Sequence, residues 1–279
     1  MTETEKKAVG RYLDWHTGIL LETDGKMGIY RKESGKLIYK EKADSEDGYL
    51  GMYLFLMGKY LEKTESTDLP ESWKNGISLA LKKIQSLMQD GITQVSEENT
   101  TVYLMDNLEV WKGLYELELA GLEDTQAISE MRKKIQEQIE KIFWDDANQR
   151  WRIIGNSDRY HQTEFYPDGV AQIYPLIYEF PVKEKKKQKV LYDQFTERFQ
   201  WQKLNKKRTG FLWAMTGMAA AQMRDINNLV ELVGNYETEY CKKRKYPLYT
   251  GEAGWICMEC GKLYGLYERK IKTGFILCA

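Results

Sequence analysis

The sequence predicts an all-α protein in which helical hairpins close into a ring, with short β-hairpins in the connecting loops. Two observations carry this. An acidic handover from polar loop to apolar helix recurs at Glu46-Asp47, Asp106 and Asp168, each about 60 residues after the last, and returns in weaker form at Glu252. The helices that follow these acids (Gly48–Phe55, Leu108–Leu119, Val170–Ile177, Phe211–Ala221, Ala253–Leu263) are rich in apolar and small residues, while Met131–Lys141 and Lys183–Arg198 between them carry charge. Helices apolar all round belong inside and amphipathic ones outside, so the alternation predicts an inner and an outer set. Inner helices that all point one way bring their N-terminal acids to one mouth.

Taken in order, Val9, Tyr12, Leu13 and Leu20 place a helix over about 5–21. Met27–Tyr30 and Lys36–Lys40, separated by a Gly- and Lys-rich turn, read as a hairpin. Helices follow over about 48–63 and 70–90, then a polar interval from Thr93 to Thr101 with room for a second small hairpin. Helices over about 106–121 and 124–143 precede a strand at Arg150–Ile154. The remaining helices fall at about 168–180, 184–200, 210–224, 225–243 and 251–268, with Gly274–Leu277 as a short terminal piece. No Pro/Gly/Ser linker interrupts the run, so residues 1–279 are expected to form a single domain of five to six hairpins.

Composition narrows the function classes. A formal net charge of −1 gives no general electrostatic case for nucleic acid or an anionic membrane. The N-terminal Met1–Lys7 is polar and is not followed by an apolar run, and no stretch reaches the roughly 18 apolar residues of a membrane helix. A cytoplasmic protein with reduced cysteines is therefore expected. The two histidines, His16 and His161, form no zinc-ligand spacing, and no glycine-rich phosphate loop is present, so neither a metal nor a cofactor is expected. Cys257-Met258-Glu259-Cys260 has two-residue spacing but no second pair, and reads as buried structural cysteines. The aromatic share of 13% suits both a core and a cleft that stacks flat ligand faces.

Three stretches resemble a known family. Ser45-Glu46-Asp47-Gly48-Tyr49-Leu50-Gly51-Met52 is similar to the Ser-Glu-Gly…Tyr-Gly-Met segment of family 8 glycoside hydrolases. Met105-Asp106-Asn107-Leu108-Glu109 resembles their second acidic helix start, and Tyr166-Pro167-Asp168-Gly169-Val170-Ala171 through Leu176 resembles their later one. Order and hairpin pattern resemble the wider six-hairpin glycosidase superfamily, the (α/α)6 barrels. Asp47 interrupts the first motif, so Glu46 and Asp47 compete for its role, and Gln172 stands where a basic residue often follows the third.

The resemblance implies hydrolysis of an oligo- or polysaccharide by general acid and base with inversion. Such a reaction needs a carboxyl that keeps its proton and a carboxylate roughly 6.5–9.5 Å away that activates water. It assigns Glu46 as acid, Asp168 as base and Asp106 as the group holding the sugar in the reacting subsite. Asp47, Asp106 and Asp168 are equally suited to stabilising helix starts, and that role is compatible with catalysis. Tyr49, Tyr103, Asn107, Trp111, Trp151, Tyr160, His161, Tyr166, Trp213, Glu252 and Trp255 lie beside the acids and are the expected saccharide contacts, with core packing the competing use of each aromatic. Two other readings share the scaffold: an unsaturated-uronyl hydrolase or polysaccharide lyase, and a non-catalytic toroid that binds a glycan or a protein.

Overall fold

The computed structural model describes residues 1–66, 68–122, 125–157, 164–204, 212–244 and 249–276. Among these the protein is mostly helical, with ten α-helices and three small two-stranded antiparallel or hairpin sheets. None of the described helices is long and apolar enough to cross a membrane. The chain divides into two compact units, one of Met1–Ala147 and Trp151–Arg159, the other of Asn148–Arg150 and the chain from Tyr160 on.

The first unit opens with α1 (Glu3–Glu22), whose start is a capping box: Glu5 N–H donates to Thr2 Oγ1 and Thr2 N–H donates back to Glu5 Oε2. A hairpin of β1 (Gly28–Glu33) and β2 (Lys36–Lys42) follows, turning through Ser34 and Gly35, both with positive φ. Then come α2 (Glu46–Thr64), α3 (Glu71–Leu87), the two-residue strands β3 (Met88–Gln89) and β4 (Ile92–Thr93), α4 (Leu104–Leu119) and α5 (Thr125–Phe143). β5 (Trp144–Asp145) and β6 (Arg150–Trp151) form the third small sheet.

α2 and α4 are the centre of this unit. α2 buries Leu50, Tyr53, Leu54 and Met57; α4 buries Leu104, Leu108, Val110, Trp111 and Leu114. By contrast α5 buries one stripe, Ile128, Ile135, Ile139 and Phe143, and is otherwise polar. Glycine lets the two central helices touch. A Cβ on Gly51 would stand 2.7 Å from Val110 Cα, and one on Gly58 would stand 2.5 Å from the Glu116 carbonyl carbon. Gly48, Gly51 and Gly58 thus meet Asp106/Glu109, Val110 and Glu116 in the same order, so α2 and α4 run parallel with their N-termini side by side.

In the second unit an irregular turn (Phe165–Gly169) leads into α6 (Val170–Ile177), followed by α7 (Lys185–Phe199), a 3₁₀ turn (Trp201–Lys203), α8 (Thr216–Met223), α9 (Ile226–Tyr236) with a π-helical extension (Glu237–Lys242), and α10 (Thr250–Ile276). α8 packs against both α6 and α10; α7 covers α6, and α9 covers α8 and α10. Two expectations are revised. The helix placed at 168–180 is α6 of eight residues, because Tyr166 is extended and the chain turns irregularly before Val170. The separate piece expected at Gly274–Leu277 is, as far as Ile276, the end of a continuous α10, whose second half contains no proline to stop it.

Candidate functional site

Ser45 ends the extended segment after β2 and caps α2: Gly48 N–H donates to its Oγ at 3.1 Å. This sets Asp47 in the first turn, pointing at α4 and β4. Asp47 is fully buried, at 0% exposure. Ser45 Oγ lies 2.9 Å from its Oδ1 and Thr93 Oγ1 lies 2.7 Å from its Oδ2. Thr93 in turn meets Asn107, on the first turn of α4. Asn107 Oδ1 accepts from the Thr93 backbone N–H at 2.8 Å and stands 2.8 Å from Thr93 Oγ1, while its Nδ2 donates to the carbonyls of Thr93 and Tyr103 at 2.9 Å each. Burial raises the Asp47 carboxyl above the usual aspartate range, against the opposing pull of its Thr93 and Ser45 hydrogen bonds.

Asp106 lies at the matching place on α4 and is half-buried. Burial holds its pKa well above the ordinary aspartate value; the neighbouring carboxyls of Asp47, Glu109 and Asp44 push the same way, and the Ser45 hydroxyl opposes them. Glu109 completes the cluster, since a Cβ on Gly48 would meet its Oε2 at 2.7 Å. Sequence reasoning quoted Glu109 in a motif but did not propose it for the site. Its signal was the spacing of three from Asp106, which puts both on one helical face.

Glu46 looks elsewhere. It lines a small hollow with Lys26, Lys42, Lys83, Glu97 and Glu98. Burial raises its pKa, and the Lys42 charge works against that rise. Of the two acids in the first motif, it is Asp47 that meets Asp106.

The nearby aromatics divide. Tyr49 is exposed on the α2 face, close enough to Asp44, Glu109 and Tyr12 for their charges to raise its pKa beyond the rise from burial. Tyr103 is half-buried, bridged to Ile154. Trp111 and Trp151, expected as saccharide platforms, are core residues at 2% exposure each. Trp111 stacks on Tyr115 and donates from Nε1 to Gln136 on α5, and Trp151 packs edge-on to Trp144, so neither presents a face to a ligand.

In the second unit Asp168 is 4% exposed. Its Oδ2 accepts from Glu164 N–H at 3.2 Å, and its Oδ1 is buried without a hydrogen-bond partner. It lines a hollow of about 340 Å³ together with Asn148, Arg150, Gln172, Gln194 and Phe195. Tyr166 is exposed and lies on Trp213, ring centroids 4.7 Å apart; Trp255 is half-buried, edge-on to Tyr178. Glu252 holds the turn that leads into α8: its two oxygens accept from the Trp213 and Ala214 N–H groups at 3.1 and 2.7 Å. Tyr160 and His161 lie outside the described residues.

Cys257 and Cys260 are exposed, not buried. The buried face of α10 passes through Ile256 and Glu259, one helical turn apart, and leaves the thiols outside. Among the described residues no group of three His, Cys, Asp or Glu side chains could hold a metal ion.

No protein-family model matches the chain, and no curated protein matches it.

Proposed function

We propose that the protein is a carbohydrate-active hydrolase that cleaves a glycosidic bond of an oligo- or polysaccharide by general acid and base catalysis with inversion, on an α/α toroid of helical hairpins. One observation carries the reading: two carboxyl groups meet at the adjoining N-termini of the parallel helices α2 and α4, and burial pushes the half-buried one, Asp106, well above the ordinary aspartate range. A proton donor to a leaving glycosidic oxygen must keep its proton near neutral pH and still reach its substrate. The rise at Asp106 goes in that direction, and the residue is half-buried. Glu46, the acid by resemblance, is a weaker fit because Lys42 beside it favours the ionised form.

The resemblance gives the base role to Asp168, and an unpaired buried Oδ1 beside a polar hollow suits a carboxylate that takes a proton from water. The exposed Tyr49 offers a flat face to a sugar ring next to the acid cluster. The toroid is supported by the parallel pair α2 and α4 and by a second pair: Glu252 and Glu259 of α10 meet, in the same order, the turn at 213–214 before α8 and Gly217 within it.

The test is reducing-sugar release from a panel of oligosaccharides. Asp106→Asn is expected to lower turnover about 10²–10⁴-fold with the helical circular dichroism unchanged, and Asp168→Asn to lower it comparably. Unchanged turnover in both variants sinks the proposal. A second reading is a non-catalytic glycan-binding toroid, in which acids such as Glu252 serve structure, its two oxygens holding the Trp213 and Ala214 amides. Saturable oligosaccharide binding without any product would select it, and an ultraviolet-absorbing unsaturated product would select a lyase.

A further inference from the structure

The hydrogen bonds around Asp47 can be counted proton by proton. Asn107 is fixed in orientation, because its Nδ2 protons go to two backbone carbonyls and its Oδ1 accepts from the Thr93 N–H. Turning the amide over would set Nδ2 against that N–H, donor against donor. Asn107 Oδ1 can therefore only accept. Thr93 Oγ1 lies 2.8 Å from it and 2.7 Å from Asp47 Oδ2, and Thr93 owns one hydroxyl proton. Asp47, Thr93 and Asn107 are all at 0% exposure, so no bulk water supplies another.

We propose that Asp47 is a neutral carboxylic acid in the folded protein, donating from Oδ2 to Thr93 Oγ1, which donates to Asn107 Oδ1, and that it is the positioning residue for the proton on Asp106. The chain is polarised from its Asn107 end. Ser45 accepts the Gly48 N–H and has one hydroxyl proton with two carboxyls in reach, Asp47 Oδ1 at 2.9 Å and Asp106, so a neutral Asp47 that holds that proton withdraws it from Asp106. An ionised Asp106 then competes with Asp47 for that one donor, and Glu109 and Asp44 add like charge on the same side. The desolvation that lifts the Asp47 carboxyl agrees with its being neutral. The role given to Asp106 rests on the function proposed above; the proton on Asp47 does not.

Asparagine mimics a protonated aspartate, since its Nδ2 donates where Oδ2–H did. Asp47→Asn is therefore expected to fold as the wild type does and to leave one fewer protonated-carboxyl C=O stretch in the infrared spectrum at neutral pH. Its melting temperature is expected to overtake that of the wild type as pH rises from about 4 to about 7. Over that range the unfolded Asp47 ionises while the folded one does not, so only the wild type loses stability. No lost C=O band, or parallel melting curves across that range, overturns the assignment. Should Asp47→Asn not fold, the wild type still decides: one aspartate ¹³Cγ resonance is expected to hold its protonated position through neutral pH, and its titration at an ordinary aspartate value refutes the proposal. In the activity arm, Asp47→Asn keeps the alkaline limb of the pH–rate profile in place, whereas Asp47→Ala, which frees the Ser45 proton for Asp106, moves it. If the infrared and melting results hold but no turnover exists in any variant, the functional reading fails and the proton assignment stands.

Discussion

Glu259 on α10 is a carboxyl with no exposure, packed on Gly217, whose backbone N–H gives only a weak opposing pull. Burial, helped by the charge of Glu252, pushes its pKa from 4.5 up to about 9. The native state thus binds a proton that the unfolded chain gives up above its own value of 4.5. Stability contributed by this group is complete below that value and is lost as pH rises toward about 9. Replacing the side chain by an apolar one of similar size removes the cost. Glu259→Met is expected to raise unfolding stability by about 1–3 kcal/mol at mildly alkaline pH, and to flatten its decline between acid and alkaline conditions. Urea titrations at a series of pH values measure both.

Among the elements, α2 and α4 depend on the absence of side chains where they cross. At Gly51 a Cβ would stand 2.7 Å from Val110 Cα, and backbone cannot move aside as a flexible side chain can. Gly51→Ala is expected to cost about 1–3 kcal/mol through overpacking. Gly18, in the middle of α1, has nothing within 4 Å of its would-be Cβ, so Gly18→Ala is expected to add about 0.5–1 kcal/mol by helix propensity alone. Thermal unfolding of the pair checks the contrast: two glycines in helices, one substitution harmful and one helpful. The same close approach is what brings Asp47 and Asp106 together, since a wider helix pair would admit water and return both acids to ordinary values.

For the whole molecule, the proposed saccharide should bind the folded chain and not the unfolded one. Millimolar concentrations of a recognised oligosaccharide are then expected to raise the melting temperature by mass action. Asp106→Asn should keep most of that shift while losing turnover, because a proton donor acts chiefly in the transition state. A shift that vanishes together with turnover would make Asp106 a binding group. Within each unit two helices stand side by side, α2 with α4 and α8 with α10, while α5 and α9 cover them with one apolar stripe each.

Much of this was legible in the chain. Periodicity fixed helix existence, because burying an apolar stripe needs a repeat near 3.6 that any sequence window displays. The recurrence of Asp47 and Asp106 marked two adjoining helix starts, and small residues at Gly48, Gly51 and Gly58 marked where helices touch. The sequence could not say which of Glu46 and Asp47 turns inward, since one residue along a helix is about 100° of rotation and both are acidic. Nor could it separate Trp111 and Trp151 in the core from Tyr49 at the surface, all aromatic and all near acids. The same holds for Glu252, whose bonds to the Trp213 and Ala214 amides join residues far apart in the chain. Local chemistry and spacing thus determined the helices and named the acids. Only tertiary packing decided which carboxyls lose their water, and with it which ones keep a proton.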